Sequence, residues 1–169
     1  MGSKWLTQLG IPESYGSDPP RPTYTAATDL VDVGPNIVGA AQRLAPRAAT
    51  AWQAMRARAQ DDSVELLLVS GFRSLERQAQ LIRHKLDRGM ALTEILATNA
   101  APGYSQHLTG CAVDLATTGC PPLVAAFEDT DAFRWLTRNA RAFGFVMPYD
   151  RDNACGFAFE PWHWYYGAD

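Results

Sequence analysis

The sequence has no long hydrophobic run. None of its apolar stretches approaches the roughly 20 residues that an α-helix needs to cross a bilayer, so no membrane span is expected. An excess of basic charge is also missing, because the formal net charge is -3 and the basic residues are scattered along the chain. We therefore expect neither a membrane-spanning protein nor one that binds nucleic acid.

Cysteine is scarce, with three residues in a chain of 169. The spacing of Cys111, Cys120 and Cys155 does not fit a structural zinc site made of thiolates. Cys111 has apolar neighbours, so we expect it to be a buried free thiol. Cys120 and Cys155 lie in predicted loops. A disulfide between them would need an oxidising compartment and the right geometry, and free thiols are the favoured interpretation.

The beginning of the chain lacks the continuous apolar segment of a secretory signal. Four prolines, with glycines and serines between them, instead predict an extended arm over residues 1–25. Residues 26–169 are expected to form a single domain and a monomer, because the chain is long enough for one core and short for two. If a leader has been removed, the protein belongs in the cell envelope or periplasm, and otherwise in the cytoplasm.

Apolar spacing predicts a mixture of helices and short strands. Residues 36–60 have a helical pattern in which Pro46 opens a second helix or kinks a single one. The other expected elements are a strand at 64–69, a helix from the N-cap Ser74 to about Asp87, a helix near 93–99, a strand at 110–116, a helix at 131–143 and strands at 145–148 and 157–166. This order predicts an α+β fold in which a small antiparallel sheet, packed with several helices, carries the functional site.

Two segments contain the residues with catalytic potential. YSQHLTGCAVD at 104–114 contains His107 and Asp114, and FEPWHW at 159–164 contains Glu160 and His163. Two imidazoles and a carboxylate are a normal ligand set for a catalytic zinc ion, which keeps its fourth position for water. Such a site also needs a group that accepts the proton of the water and passes it to the leaving amine. Glu160 is the candidate, since it lies close to His163 without being needed as a ligand.

Each histidine also has a simpler interpretation. A single buried histidine such as His107 is more often a hydrogen-bonded structural residue, and the metal hypothesis depends on the whole set occurring together. His84, the third histidine of the chain, lies on a predicted helix surface between Arg83 and Lys85. We expect His84 to be solvated and not to be a ligand.

The pattern S-x-H-x-x-G-x-A-x-D at 105–114, followed by E-P-W-H at 160–163, resembles the zinc D-alanyl-D-alanine carboxypeptidase and D,D-dipeptidase family. That family is more distantly related to lysostaphin-type peptidases and to the hedgehog domain. SGFRSLERQ at 70–78 resembles its upstream substrate-binding motif, and FGFVMPYD at 143–150 is similar to the segment before its C-terminal motif. The resemblance covers roughly residues 36–166. One difference is Tyr165, which follows Trp164 where the family commonly has arginine.

The resemblance implies one zinc ion held by His107, Asp114 and His163. It also implies that Glu160 is the catalytic base and that Arg73 stabilises the oxyanion at the scissile carbonyl. The planar guanidinium suits this role, because it offers fixed donors to an oxygen that gains charge in the transition state.

Three further residues are assigned to substrate binding. The resemblance implies that Ser105 and Gln78 hold the peptide terminus, while Trp162 is expected to wall the cleft. Simpler interpretations exist for each of them. Ser105 could cap a turn with its hydroxyl, Gln78 could be an exposed helix residue, and Trp162 could be a packing residue. Arg73 has a simpler interpretation too, as the partner of Glu76 or Asp87 in an ion pair.

The predicted function is that of a zinc-dependent carboxypeptidase that removes the C-terminal D-alanine from peptidoglycan-type peptides ending in D-Ala-D-Ala. A peptidoglycan stem peptide or its fragment is the expected partner. An L,D-carboxypeptidase, a D,D-dipeptidase and a peptidoglycan endopeptidase would use the same catalytic residues and stay open as alternatives. A zinc-bearing binding domain without catalytic activity is the alternative from another class.

Overall fold

Two small antiparallel sheets and five α-helices make up the computed structural model, which describes residues 3–167. The strands are β1 (Val31–Pro35), β2 (Ala41–Leu44), β3 (Leu67–Ser70), β4 (Ala112–Ala116), β5 (Phe145–Val146) and β6 (His163–Tyr166). The helices are α1 (Ser3–Leu9), α2 (Pro46–Asp61), α3 (Leu75–Asp87), α4 (Leu92–Thr98) and α5 (Asp131–Asn139). Short 3-10 helices cover Gln106–Thr109, Ala125–Asp129 and Ala140–Phe143. The predicted α+β class with a small antiparallel sheet is confirmed.

The larger sheet has the strand order β3-β4-β6-β5, and β1 pairs with β2 in a separate hairpin. All five residues of β4 are buried, which makes this strand the centre of the main core. Helix α2 begins at Pro46, a position where the missing N–H of proline does no harm, and it buries Trp52 and Met55 in the same core. Fully burying an apolar side chain of this size contributes about 1.5–3 kcal/mol.

Helix α3 starts where the sequence predicts. The hydroxyl of Ser74 accepts a hydrogen bond from the backbone N–H of Arg77, so Ser74 is the N-cap. Helix α5 has an equivalent cap in Thr130, and the 3-10 turn that follows it ends at Gly144 with a φ of 79°. Gly144 therefore ends the predicted 131–143 segment in the left-handed conformation that glycine adopts without strain.

The N-terminal segment differs from the expected extended arm. Residues Ser3–Leu9 form α1, which packs on α3, and Leu9 and Ile11 are buried in a second apolar cluster with Ile82 and Ile95. Trp5, Leu6 and Leu9 recur at helical spacing, and this stripe outweighs the prolines that follow it. Positions 1 and 2 of the predicted arm lie outside the described residues, and the domain boundary at residue 26 stays a prediction.

The predicted helix at 36–60 is wrong over its first nine residues. Strand β2 occupies the end of this stretch and pairs with β1, with Val31 opposite Leu44. Gly39 turns the chain between the two strands with a φ of 80°, and the N–H of Ile37 donates to the Leu68 carbonyl. The expected strands are also shorter in the structure, because β5 ends at Val146 and β6 begins only at His163.

Within the described part of the chain, no helix combines the length and the apolar character needed to cross a membrane. Cys111, Cys120 and Cys155 are free thiols, each of them half-buried.

Candidate active site

The register of the larger sheet brings the predicted metal ligands together. Asp114 on β4 is paired with His163 on β6, and Ser70 at the end of β3 is paired with Asp114 from the other side. Directly opposed residues on antiparallel strands project from the same face of the sheet. His107 comes from the 3-10 helix immediately before β4, and Gly110, with a φ of 69°, ends that helix and turns the chain into the strand.

His107, Asp114 and His163 form a buried cluster in which one ligand atom from each residue lies within 4.8 Å of the others. Asp114 Oδ2 is 3.1 Å from His107 Nε2, and Asp114 Oδ1 is 2.9 Å from His163 Nδ1. The three side chains could therefore hold one metal ion.

The outer hydrogen bonds of the two imidazoles indicate where their protons lie. His107 Nδ1 is 2.7 Å from the Gly71 carbonyl oxygen, and His163 Nε2 is 2.9 Å from Gln106 Oε1. Both of these oxygens only accept hydrogen bonds, so each receives a ring N–H. A ring that carries its proton on this outer nitrogen turns the lone pair of its other nitrogen toward the Asp114 carboxylate. Two imidazole nitrogens and a carboxylate that face one another in this way are a ligand set that fits zinc.

Protonation states in the cluster agree with this arrangement. Burial lowers the pKa of His107, which the Asp114 carboxylate only partly offsets. A neutral imidazole and an ionised carboxylate are the forms that bind metal ions.

Glu160 lies beside the cluster without belonging to it. Its backbone N–H donates to the Tyr149 carbonyl and its own carbonyl accepts from the His163 N–H, both at 3.0 Å, so the chain enters β6 in a fixed position. The residue is 8% exposed, and its carboxylate has no hydrogen-bond partner among residues 3–167. Burial raises the pKa of Glu160 to about 8, the charge of Asp114 adds to this effect and Arg73 opposes it. A carboxyl group in this state can take up and release a proton near neutral pH.

Arg73 follows β3 and points toward the same cluster. Its Nη2 atom lies 2.8 Å from Ser70 Oγ and 3.5 Å from Asp114 Oδ2, and its Nη1 atom donates to Gln78 Oε1 at 3.1 Å. Gln78 in turn donates to the Ala100 carbonyl at 2.7 Å. Arg73 thus pairs with Asp114 and not with Glu76 or Asp87 of α3. The amide oxygen of Gln78 accepts from Arg73, and its amide nitrogen anchors Gln78 to Ala100.

A cleft of about 260 Å³ contains all of the predicted site residues. They are Arg73, Gln78, Ser105, His107, Asp114, Glu160, Trp162 and His163. Ser105 is buried and Trp162 is half-buried at its wall. His84 is exposed on α3 and does not line the cleft, as expected.

Sequence reasoning missed three groups that support the metal ligands. Gly71 and Gln106 accept the outer imidazole protons, and the ring of Tyr149 stacks on His163 with centroids 4.8 Å apart. Tyr149 lies inside FGFVMPYD and Gln106 is the neighbour of His107, so their positions in the motifs were the available signal. Gly71 lies inside SGFRSLERQ, but nothing in that motif marks its carbonyl oxygen as an acceptor for His107.

The chain is similar to several known proteins. A family model described as VanY, D-alanyl-D-alanine carboxypeptidase, matches residues 41–169. The chain is 30% identical over 134 residues to the D-alanyl-D-alanine carboxypeptidase of Enterococcus faecalis, covering 73% of this chain and 47% of that protein. It is 29% identical over 133 residues to VanXYC of Enterococcus gallinarum, a bifunctional D-Ala-D-Ala dipeptidase and carboxypeptidase, covering 73% of this chain and 66% of that protein.

Several solved structures have the same fold. The LdcB LD-carboxypeptidase superimposes with a TM-score of 0.73 at 30% identity, covering 86% of this chain and 71% of that one. A mutant of the D,D-pentapeptidase VanY in complex with Zn(II) gives a TM-score of 0.67 at 25% identity, with coverage of 87% and 83%. VanYB in complex with D-Ala-D-Ala gives 0.67 at 28% identity, with coverage of 86% and 82%.

Proposed function

The chain belongs to the VanY family of D-alanyl-D-alanine carboxypeptidases, and from this premise we propose that it is a zinc-dependent carboxypeptidase that removes the C-terminal D-alanine from peptidoglycan-type peptides. The observation that carries the proposal is the convergence of His107, Asp114 and His163 in one cleft with Glu160 and Arg73. The structures of relatives with Zn(II) and with D-Ala-D-Ala support the choice of ion and of substrate class.

Glu160 performs the proton transfers in this mechanism. A zinc ion held by His107, Asp114 and His163 would lower the pKa of a bound water and polarise the peptide carbonyl. Glu160 accepts a proton from the attacking water and passes it to the nitrogen of the departing D-alanine. In the metal-free protein burial raises the pKa of Glu160 to about 8. The charge of a bound zinc ion would lower this pKa and so favour the ionised form that accepts the proton.

Arg73 stabilises the charge that develops on the carbonyl oxygen. Its guanidinium is held by Ser70 and Gln78, so the donors are oriented before the substrate arrives. The hydroxyl of Ser105 contacts the end of the bound peptide, and Trp162 forms a wall of the cleft. Gln78 contributes to substrate binding through its hold on Arg73.

The test is hydrolysis of peptides ending in D-Ala-D-Ala by the purified protein with zinc. We expect release of D-alanine that stops on chelation and returns with added zinc. Glu160→Ala should lower kcat by about 10²- to 10⁴-fold, the usual contribution of a general base, without loss of bound zinc. Wild-type activity in that variant would remove Glu160 from the mechanism.

An L,D-carboxypeptidase acting on the tetrapeptide stem is the second candidate, because the LdcB LD-carboxypeptidase shares the fold at a TM-score of 0.73. Digestion of dipeptide, tetrapeptide and pentapeptide substrates side by side, followed by mass spectrometry of the products, separates it from D,D-cleavage and from endopeptidase activity. Zinc binding without cleavage of any of these peptides would favour the non-catalytic binding domain.

A further inference from the structure

Lys85 is a second cationic side chain in the catalytic cleft. It lies on α3, seven residues after Gln78, so the two residues share one face of the helix about 10 Å apart along its axis. Side chains on a helix lean toward its N-terminal end, so the side chain of Lys85 starts in the direction of Gln78. The side chain is half-buried and lines the cleft.

The ammonium of Lys85 makes no ion pair or hydrogen bond with any residue between 3 and 167. Arg73, the other lysine or arginine in the cleft, is already engaged by Ser70, Gln78 and Asp114. Burial and the charge of Arg73 lower the pKa of Lys85, and Glu160 opposes them. A partly desolvated ammonium that no carboxylate of the described residues contacts directly is suited to pair with an anionic ligand.

We propose that Lys85 binds the free carboxylate at the C-terminus of the substrate and so restricts the enzyme to removal of the terminal residue. This inference rests on the proposed function, and it adds a specificity determinant to the same site. In a carboxypeptidase the terminal carboxylate lies one residue, at most about 3.6 Å of chain, beyond the scissile carbonyl. Arg73 and Lys85 are the two cationic side chains that line the cleft. Because Arg73 is assigned to the scissile carbonyl, Lys85 is available for the terminal carboxylate.

The test measures binding separately from turnover. Zinc-loaded Glu160→Gln protein is titrated by calorimetry with an N-acetylated tripeptide ending in D-Ala-D-Ala and with its C-terminal amide. The same titrations follow with Lys85→Gln and Lys85→Arg added to this background. Lys4→Gln is the matched control, because Lys4 is the other lysine of the chain and is exposed on α1.

We expect the acid to bind roughly 10- to 100-fold more tightly than the amide, as for a hydrogen bond to a charged group. Lys85→Gln should abolish this preference, whereas Lys85→Arg and Lys4→Gln should keep it. A preference that survives Lys85→Gln would overturn the proposal. Equal weakening of acid and amide binding in Lys85→Gln would also overturn it.

Kinetic measurements on proteins that retain Glu160 distinguish this proposal from the proposed function. Lys85→Gln should raise KM for the acid by a similar factor and leave kcat nearly unchanged. If the wild-type protein cleaves neither peptide, the proposed function fails, and the binding titrations still decide whether Lys85 selects the carboxylate.

Discussion

Glu160 and His107 are both buried beside Asp114, and burial shifts their pKa values in opposite directions. Burial disfavours the charged form of each group, so it raises the pKa of Glu160 from 4.5 to about 8 and lowers that of His107 below 6.5. In the metal-free protein the two residues therefore give opposite slopes to the dependence of stability on pH. Asp114, Arg73 and Lys85 are the other charged groups that act on Glu160.

Replacing Glu160 with glutamine should remove the contribution of Glu160 to the dependence of stability on pH. Between the unfolded pKa of 4.5 and the folded pKa of about 8, the folded state keeps a proton that the unfolded chain has released, so stability falls as pH rises. His107 acts in the opposite sense only below pH 6.5, where the unfolded chain binds the extra proton. We expect the chelated wild-type protein to lose up to about 1.4 kcal/mol per pH unit between pH 6.5 and 8, and Glu160→Gln to lose much less.

Urea unfolding at four pH values across this interval measures both slopes. Equal slopes in the two proteins would show that Glu160 does not hold a proton in the folded state.

Gln106 should tune zinc affinity although it is not a ligand. Its amide oxygen accepts from His163 Nε2, which keeps the lone pair of Nδ1 turned toward the cluster. We expect Gln106→Met to lower zinc affinity by about 10- to 100-fold, the usual effect of removing such a supporting hydrogen bond. Competition with a chromophoric chelator measures the dissociation constant.

Two variants make this comparison specific. Tyr24→Phe removes only the outer hydrogen bond between the Gln106 amide nitrogen and the Tyr24 hydroxyl, so its effect should be smaller. Gln80→Met changes an exposed glutamine of α3 and should leave the affinity unchanged. Wild-type affinity in Gln106→Met would contradict the role of Gln106.

At the residue scale the sequence motifs predicted side chains that meet in one cleft, but they did not predict the contacts that hold these side chains in place. The predicted ligands, Glu160 and Arg73 all line one cleft. Gly71 and Tyr149 lie inside quoted motifs, but their contacts with His107 and His163 arise from tertiary packing between segments far apart in the chain, and local spacing does not predict them. His84 shows that residue type alone does not indicate a site, since this histidine is exposed.

Among the elements, the turn into β4 depends on Gly110. Its φ of 69° disfavours any side chain, and a Cβ there would lie 2.9 Å from the backbone nitrogen of Ala45. Gly39 has a similar φ of 80° with nothing within 4 Å of the position of a Cβ. Gly39→Ala should cost only the backbone strain, about 1 kcal/mol, while Gly110→Ala should cost clearly more because β2 and β4 must also move apart.

Urea unfolding of the two variants separates the backbone contribution from the steric one. Equal losses of unfolding free energy in the two variants would mean that the chain near Ala45 can move away from residue 110 at no measurable cost.

The two errors in predicted elements share a physical cause. Residues 36–44 have apolar spacing that suits a short helix, yet they form part of a hairpin because β2 pairs with β1 and the chain turns at Gly39. Residues 3–9 precede a proline-rich stretch, yet they form α1 because α3 offers an apolar face to pack against. In both places tertiary partners decided between local conformations of similar energy.

For the whole molecule, zinc should be a stabilising ligand. The cluster joins the segment at 107–114 to His163 near the end of the described chain, and unfolding separates them. At zinc concentrations of about 100 times the dissociation constant, we expect a gain of about 2.7 kcal/mol and a rise in Tm of roughly 5–10 °C. His107→Ala should abolish this rise, and His84→Ala should keep it.

Calorimetry with and without chelator gives these shifts for the three proteins. A zinc-dependent rise in Tm that persists in His107→Ala would place the ion elsewhere.

The hairpin of β1 and β2 has a consequence for how the chain can be shortened. The family model begins at residue 41, which is the first residue of β2, and β1 lies before that limit. A fragment cut at this boundary would leave the backbone groups of β2 that face β1 without partners. An unpaired strand edge can form hydrogen bonds with the same strand of another copy, so the trimmed fragment would tend to self-associate in solution. It would do so although it still contains every catalytic residue.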